Sequence, residues 1–260
     1  MSSPSQESTP SEVTVQQFGA AASKYATSAV HAAGPDLPLV VDAAEPTKRD
    51  VALDIGTGAG HTAFALAPRC AGVTAVDITR DMLEEAGKGA RQRGLTNVIC
   101  EYGDAQSLPF DPGTFDIVTC RVSAHHFPAP GRFVAEVARV LRPGGRFVLV
   151  DTIAPEDPSL DTFSNTVELL RDRSHVRNWG VSQWLAMMEH VGLHGDVLER
   201  SGYVLDGQAW VDRMGTPASK VAVIRELFAD ATPAQRRYFE LRDDPWGWTV
   251  PWALIRGRMA

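Results

Sequence analysis

The sequence predicts an α/β protein built on a parallel sheet with helices on both of its faces. Between residues 51 and 151, short apolar segments alternate with amphipathic ones, which is the pattern of repeated βαβ units. The chain has 260 residues, 44% hydrophobic and 22% charged, so one large or two small globular domains are expected. All six tryptophans lie beyond residue 178, so the C-terminal third differs in composition from the rest.

The first fifty residues precede this alternation. Residues 1–12 are rich in Ser, Pro and Glu and are predicted to be disordered, because they cannot bury enough apolar surface. An apolar stripe that includes Phe18 and Tyr25 predicts a helix over residues 13–33. A second, short helix is predicted over residues 38–44.

Strands and helices alternate through the central part of the chain. Each strand is a short apolar run bounded by turn residues, and each helix has its own stop signal. The predicted strands cover residues 51–55, 73–76, 97–102, 115–120 and 146–151. The predicted helices between them cover residues 61–68, 80–93 and 133–141.

The alternation loosens after Asp151. Two more strands are predicted, over residues 194–201 and 248–256. The predicted helices cover residues 161–171, 182–191, 208–214, 218–229 and 233–241. The stretch from 206 to 247 is interpreted as a helical insertion whose aromatic residues suit a flat or apolar ligand. Packing of the insertion on the sheet, or a dimer contact, would explain those aromatic residues equally well.

Composition excludes several classes of function. A formal charge of −7 argues against a nucleic-acid groove, which needs clustered Lys and Arg. No apolar run approaches the ~20 residues that span a bilayer, and the N-terminus does not resemble a signal peptide. Cys70, Cys100 and Cys120 form no C-x-x-C pair, so neither a disulfide scaffold nor a metal site is expected. A cytoplasmic protein without a nucleic-acid or membrane partner is predicted.

A glycine-rich turn follows the first strand. Gly56, Gly58 and Gly60 allow close approach of the backbone to a ligand, and Asp54 stands two residues before them. A nicotinamide-binding fingerprint needs a sixth-position glycine counted from Gly56, but His61 occupies that position. A purely structural tight turn would give the same glycines.

Acidic residues also end the second and third strands. Asp77 lies at a strand tip that faces the ligand crevice in open α/β sheets, where a carboxylate can accept both hydroxyls of a ribose. This position also fits a dinucleotide, or an acid that merely caps the next helix. Asp104, between Gly103 and Ala105, is placed to accept a hydrogen bond from an adenine amino group.

Together these segments resemble the class I S-adenosylmethionine-dependent methyltransferases, in particular the small-molecule group related to the quinone-biosynthesis C-methyltransferases. The resemblance covers about residues 15–205 and is specific over 51–151, and its motifs are LDIGTGAG, AVDIT, GDAQSLPF, FDIVTC and LRPGGRFVLVD. It implies a Rossmann-like, seven-stranded, mostly parallel sheet with helices on both faces. It also implies an N-terminal helical lid over 13–48, a cofactor-binding core over 49–152, and completion of the sheet with substrate-facing helical insertions over 153–260.

The resemblance implies S-adenosylmethionine as cofactor and S-adenosylhomocysteine as product. The glycine-rich turn would line the methionine moiety, with Asp54 near its amino group. Asp77 would bind the ribose, Ile78 would pack on the adenine, and Asp104 would bind its edge. The full implied set is Phe18, Tyr25, Asp54, Gly56, Thr57, Gly58, Gly60, Asp77, Ile78, Met82, Gly103, Asp104, Ala105, Arg121 and His126.

Methyl transfer needs mainly orientation and desolvation, because the sulfonium group already activates the methyl carbon. A general base is needed only if the acceptor must lose a proton. His125 and His126 follow the fourth strand at the mouth of the crevice, and His126 is preferred as the base. Packing and hydrogen bonding under the cofactor would account for the pair equally well.

The predicted activity is methylation of a small molecule, of natural-product, aromatic or quinone-like type, at carbon, oxygen or nitrogen. Substrate-binding residues are unknown at this stage, and a homodimer is left open. The alternative is a cofactor-retaining protein that transfers no methyl group, such as a cyclase or a regulatory subunit. A nicotinamide oxidoreductase is disfavoured by His61.

Overall fold

The computed structural model describes residues 9–26 and 34–260. The strands are β1 Val51–Ile55, β2 Gly72–Asp77, β3 Val98–Tyr102, β4 Phe115–Arg121, β5 Leu141–Ala154, β6 Trp179–Gly180, β7 Leu193–Asp206, β8 Arg242–Asp243 and β9 Trp246–Met259. The α-helices are α1 Pro10–Ala26, α2 Asp36–Ala44, α3 His61–Leu66, α4 Arg80–Gln92, α5 Pro130–Val140, α6 Pro158–Arg171, α7 Val181–His190, α8 Gly207–Met214, α9 Ala218–Ala229 and α10 Pro233–Tyr238.

The strands form a mostly parallel sheet in the order β3-β2-β1-β4-β5-β9-β7. The first five strands pair in parallel, and β9 pairs antiparallel with both β5 and β7. Two short strands lie off this path, β6 beside β5 and β8 beside β9. The predicted seven-stranded α/β architecture is therefore confirmed, with two short strands that the sequence did not indicate.

The order of strands reverses at β1. The chain passes from β1 to β2 and β3 on one side, and returns to β4 and β5 on the other side. In open α/β sheets the crevice outside the carboxyl ends of the strands at such a point is where ligands bind. The topology therefore places a ligand site where β1 and β4 end.

Apolar side chains cover both faces of the sheet. One face packs around Phe115, Phe133 and Trp184, and the other face packs around Leu66 and Trp252. A third cluster joins α6, α8, α9 and β9. Its largest buried side chains are Phe163, Trp210, Phe228, Phe239, Trp246 and Trp248. The helical insertion thus has an aromatic core of its own, which fixes α8 against the end of the sheet.

The N-terminal prediction needs two corrections. Residues 10–12 were predicted to be disordered but form the first turn of α1, while residues 1–8 lie outside the described part. The Thr9 hydroxyl accepts a hydrogen bond from the Glu12 amide at 3.3 Å, and the Glu12 carboxylate accepts one from the Thr9 amide at 2.7 Å. This reciprocal pair is a capping box, a signal that the sequence contains and that the disorder prediction overlooked.

The predicted lid over 13–48 also divides into two parts with different positions. α1 packs on α4 and contributes residues to the cavity described below. α2 instead packs Val40, Val41 and Ala44 into the core on one face of the sheet. Within residues 9–26 and 34–260, no helix is both long and apolar enough to cross a membrane.

Candidate active site

A cavity opens at the carboxyl ends of β1, β2, β3 and β4, where the strand order reverses. α1 contributes Ser11, Thr14 and Phe18 to its wall. Most of the implied cofactor residues line this one cavity. They are Phe18, Asp54, Gly56, Thr57, Gly58, Asp77, Ile78, Met82, Gly103, Asp104, Ala105, Arg121 and His126.

Two of the implied cofactor residues, Gly60 and Tyr25, are not among the residues that line the cavity. Gly60 is the residue that precedes α3, with φ +91°, and a Cβ there would lie 2.6 Å from the Phe64 ring. Glycine is therefore needed at this position for backbone conformation and packing. The Tyr25 side chain lies outside the described part of the structure.

The turn after β1 requires glycine for two reasons. Gly56 and Gly58 have φ of +63° and +54°, which L side chains rarely adopt. A Cβ on Gly56 would also lie 2.8 Å from the Cβ of Ser123, whereas one on Gly58 would meet nothing within 4 Å. The turn is thus packed against Ser123 on one side and open at Gly58.

Asp54 is a buried carboxylate beneath this turn. Its two oxygens accept hydrogen bonds from the hydroxyls of Thr57, at 2.6 Å, and Thr119, at 2.7 Å. Burial raises the pKa of Asp54 to about 6, because these hydroxyls only partly replace water. A cationic group brought beside it would favour its ionised form.

Asp77 holds the same turn from β2. One carboxylate oxygen accepts from the Gly58 amide at 2.9 Å and the other from the Thr79 amide at 2.8 Å. Burial raises its pKa from the ordinary value. Each oxygen has a second lone pair, so the carboxylate can still accept a ligand's hydroxyl groups.

The loop after β3 is fixed through Asp104. Its carboxylate accepts from the Gln106 amide at 2.9 Å, and the Gln106 side chain in turn accepts from the Ala129 amide at 2.7 Å. Asp104 is therefore oriented by the backbone, and the segment after the His pair is tied to the same loop.

Arg121, the last residue of β4, lines the cavity and is anchored to the first residue of α2. Its Nη2 donates to Oδ1 of Asp36 at 3.0 Å and its Nε donates to the other carboxylate oxygen, with both side chains almost fully buried. Asp36 thus balances the charge of Arg121. The implied position of Arg121 beside the methionine moiety is not tested by this geometry.

His125 is held by a buried carboxylate. Its Nδ1 lies 2.6 Å from one oxygen of Asp151, and its backbone amide donates to the other oxygen at 2.9 Å. An ionised carboxylate only accepts, so Nδ1 carries the proton and Nε2 is the basic nitrogen of the neutral ring. Burial lowers the pKa of His125, but the neighbouring carboxylates, Asp151 foremost, more than offset this, and the net shift is upward.

His126 has a different environment. Its Nδ1 lies 3.0 Å from the carbonyl oxygen of Ser174, and its ring meets Phe18 edge-on at 4.9 Å between centroids. Burial and the neighbouring His125 lower its pKa to about 4. His126 is therefore neutral and weakly basic at pH 7, and packs against the helix that covers the cavity.

The same cavity is also lined by residues outside the implied cofactor set, and of these the sequence analysis had pointed only to the aromatic residues of the insertion. α6 contributes Glu168, the following loop contributes Asp172 and His175, and α8 contributes Trp210. All four are buried. No local motif marks Glu168, Asp172 or His175 as cavity residues, because the fold brings them to the cavity from a helix and a loop far from the strand tips.

Of the six tryptophans, only Trp210 lines this cavity. Trp184, Trp246, Trp248 and Trp252 are buried in the apolar clusters. Trp210 also packs in the third cluster, so the packing interpretation holds for the tryptophans of the insertion, and Trp210 lines the cavity as well.

Comparisons with known proteins agree with this architecture. A family model for a methyltransferase domain matches residues 53–149. The uncharacterized methyltransferase YcgJ of Bacillus subtilis (strain 168) is 44% identical over 203 residues, which cover 78% of this chain and 80% of YcgJ. The crystal structure of YcgJ matches with a TM-score of 0.84 at 39% identity, covering 86% of this chain and 97% of that one.

Two further proteins extend the comparison. The crystal structure of BH2331 from Bacillus halodurans C-125 matches with a TM-score of 0.83 at 36% identity, covering 86% of this chain and 99% of that one. The ubiquinone/menaquinone biosynthesis C-methyltransferase UbiE of Desulfotalea psychrophila is 40% identical over 120 residues, 45% of this chain and 47% of UbiE. The resemblance drawn from the sequence motifs is confirmed, and the chain belongs to the class I S-adenosylmethionine-dependent methyltransferases.

Proposed function

We propose that this chain transfers the methyl group of S-adenosylmethionine to a small molecule. The observation that carries the proposal is one continuous cavity with two differently built parts. One group of lining residues, here named the outer part, is the glycine turn with Asp54, Asp77 and Asp104, and a second group, named the inner part, includes His125 and Trp210. A cofactor and an acceptor bound in one cavity can be held in contact, which is the main requirement for methyl transfer.

The outer part fits S-adenosylmethionine chemically. The buried Asp54 carboxylate, which accepts from two hydroxyls, suits an ammonium group, and Asp77 retains lone pairs for two ribose hydroxyls. Asp104 is oriented at the tip of β3 for the adenine edge, and Ile78 and Met82 supply apolar contacts. When bound, the cofactor supplies an electrophilic methyl group on a sulfonium ion.

Within the His pair, the geometry favours His125 as the general base, rather than the His126 preferred from sequence. A base needs a free lone pair and a pKa near the working pH. His125 meets these needs better than His126, because Asp151 fixes its tautomer with Nε2 as the basic nitrogen and the pKa of His125 is raised from the ordinary value. His126 is the weaker base, with a pKa of about 4, and it packs on Phe18.

Two measurements on the full chain test the proposed function. Calorimetry should show saturable binding of S-adenosylmethionine and of S-adenosylhomocysteine, and failure to bind either would overturn the proposal. Transfer of a labelled methyl group should then be assayed with the small-molecule fraction of an extract of the producing cells. Binding without any transfer would favour the non-methylating alternative.

A further inference from the structure

The loop that follows α6, residues 172–178, is buried although several of its side chains are polar. Asp172, Ser174, His175 and Asn178 are each no more than 5% exposed. Loops usually run over the surface, because every buried polar group needs a partner. A buried polar network whose groups are paired holds its surroundings in one arrangement. The partners of this loop therefore identify what it holds in place.

The loop holds both members of the His pair. The amides of Val176 and Arg177 each donate to the carbonyl oxygen of His125, both at 3.0 Å. The carbonyl oxygen of Ser174 lies 3.0 Å from Nδ1 of His126, which donates to it because a carbonyl only accepts. The loop thus fixes the backbone of His125 and the ring of His126.

The loop is in turn anchored to α6 through Asn165. Oδ1 of Asn165 accepts from the Asn178 amide at 2.7 Å and lies 3.0 Å from Nε2 of His175. Burial lowers the pKa of His175 to about 2, so its ring is neutral and Nε2 donates to this oxygen. Nδ2 of Asn165 donates to Oδ1 of Asp161 at 2.6 Å. One side chain of α6 therefore pairs with two residues of the loop.

A second line of contacts runs from the loop to the carboxylate that holds His125. The side-chain oxygen of Asn178 accepts from the Thr152 hydroxyl at 2.6 Å, and the Thr152 amide donates to Oδ1 of Asp151 at 2.8 Å. The same Asp151 oxygen accepts from Nδ1 of His125 at 2.6 Å. Asn165 and Asn178 are not among the residues that line the cavity, so they reach the His pair only through these contacts.

We propose that Asn165 is a positioning residue, which fixes His125 and His126 through the loop 172–178 without touching cofactor or acceptor. The proposal rests on the proposed function only in treating the His pair as part of a methyl-transfer site. Replacement of Asn165 by a side chain without polar atoms would leave buried donors of the loop unpaired, and the loop would no longer hold the pair in one place. A residue that only stabilised the fold would not affect the hydrogen bond between His125 and Asp151.

The test follows the proton that His125 donates to Asp151, by NMR on the full chain labelled with ¹⁵N in histidine and without any ligand. A hydrogen bond this short protects the Nδ1 proton from exchange with water, and disappearance of its signal in His125→Gln assigns it. In Asn165→Ala we expect this proton to exchange about tenfold faster or more, as for the loss of one or two hydrogen bonds. Methyl transfer to the small-molecule fraction of an extract of the producing cells should fall about 10–100-fold, with the affinity for S-adenosylhomocysteine unchanged.

Asn97→Ala is the matched control. The side chain of Asn97 is also partly buried, and it donates to the carbonyl oxygens of Ala67 and Cys70 at 2.9 and 3.3 Å, far from the His pair in the sequence. Its loss should lower the free energy of unfolding, as the loss of Asn165 should. The exchange of the His125 proton and the rate of methyl transfer should stay as in the wild-type protein.

Unchanged protection of the His125 proton in Asn165→Ala, or an equal loss of protection in Asn97→Ala, would overturn the proposal. If Asn165→Ala does not fold, Thr152→Val breaks the same network at the Asn178 oxygen, and unchanged protection in that variant would overturn the proposal instead. Thr152→Ser keeps the hydroxyl and should restore the protection. Absence of methyl transfer in the wild-type protein would overturn the proposed function alone, because the NMR measurement uses no ligand.

Discussion

The two parts of the cavity are lined by different kinds of chemical groups. The outer part is made of backbone amides and short acids that lie within a few residues of strand ends, as in the Asp77 contacts with Gly58 and Thr79. The inner part is made of long side chains from elements far apart in the chain, such as Glu168 and Trp210. In the proposed function, the cofactor would be held by the sheet itself, whereas the acceptor would depend on the added helices.

This difference implies that the two parts can be disabled independently. A change at a strand tip should weaken cofactor binding without altering the surroundings of His125, and a change at His125 should lower turnover without weakening cofactor binding.

The largest effect is expected from His125. His125→Gln removes the basic nitrogen, and we expect turnover to fall about 10²–10⁴-fold, the range for loss of a general base. Affinity for S-adenosylhomocysteine should stay the same, because the affected group belongs to the inner part. Turnover with labelled cofactor and calorimetry on the same preparation measure the two quantities.

His126→Gln is the matched control, since His126 is adjacent in sequence but bonded to the Ser174 carbonyl. Its turnover should fall less than that of His125→Gln. Its affinity for the cofactor should fall slightly, because the His126 ring packs against Phe18. If His126→Gln were the more damaging of the two in turnover, the assignment of the base to His125 would be wrong.

The His pair also shows where sequence reasoning stops. Two consecutive histidines after one strand are indistinguishable by motif, because what separates them is distant. Asp151 stands 26 residues beyond His125, and Ser174 stands 48 residues beyond His126. Local spacing located the pair at the cavity, and only the tertiary contacts show which ring is the stronger base.

The strands illustrate the same limit. The apolar runs of β1 and β4 were predicted almost to the residue, because each is a buried central strand bounded by turn signals. β5 begins at Leu141 rather than Arg146, because Leu141 pairs with Phe115 across an irregular register. β6 and β8 are two residues long, which is too short for a sequence pattern. They are strands only because they pair with β5 and β9.

Within the cofactor site, the glycine turn should be the most sensitive element. Gly56→Ala combines a left-handed backbone, which costs ~1–2 kcal/mol, with a clash against Ser123, for which overpacking costs ~1–3 kcal/mol. We expect the free energy of unfolding to fall by ~2–5 kcal/mol, measured by denaturant titration.

Gly58→Ala is the control, because it shares the left-handed backbone but has open space around its Cβ. Its free energy of unfolding should fall only by the cost of the left-handed backbone, ~1–2 kcal/mol. Adding Ser123→Gly to Gly56→Ala should recover part of the loss. Equal destabilisation by the two alanine variants would contradict the packing of Gly56 on Ser123.

Asp77 should affect cofactor affinity by a smaller amount. Asp77→Asn keeps the shape but replaces one accepting oxygen by a donor, so that Gly58 or Thr79 loses its partner and the ribose loses a charged acceptor. We expect S-adenosylhomocysteine to bind about 10–100-fold more weakly, in line with ~1.5–3 kcal/mol for a hydrogen bond to a charged group. Calorimetry gives the affinity, and unchanged binding would remove Asp77 from the cofactor site.

The smallest effect is a pH dependence that comes from Asp54. Without ligand its pKa is about 6, so the carboxyl is mostly neutral below that pH. A ligand ammonium group favours the carboxylate and lowers this pKa, so binding releases a proton under acidic conditions and strengthens as the pH rises. The affinity for S-adenosylhomocysteine should increase about tenfold from ~pH 5 to ~pH 7 and level off above that range.

The Asp54→Asn variant, which does not ionise, should bind more weakly and with an affinity almost independent of pH over the same range. The free energy of unfolding of Asp54→Asn should also differ from that of the wild-type protein, in a direction set by the pKa of Asp54. Because the folded pKa of Asp54 is raised from 3.8 to about 6, the wild-type protein loses stability from this group as the pH rises through that interval. The asparagine side chain has no charge to bury, so the variant should gain stability relative to wild type above about pH 6. If the wild-type affinity were flat between ~pH 5 and ~pH 7, Asp54 would not contact the ammonium group, and its buried carboxyl would belong to the turn alone.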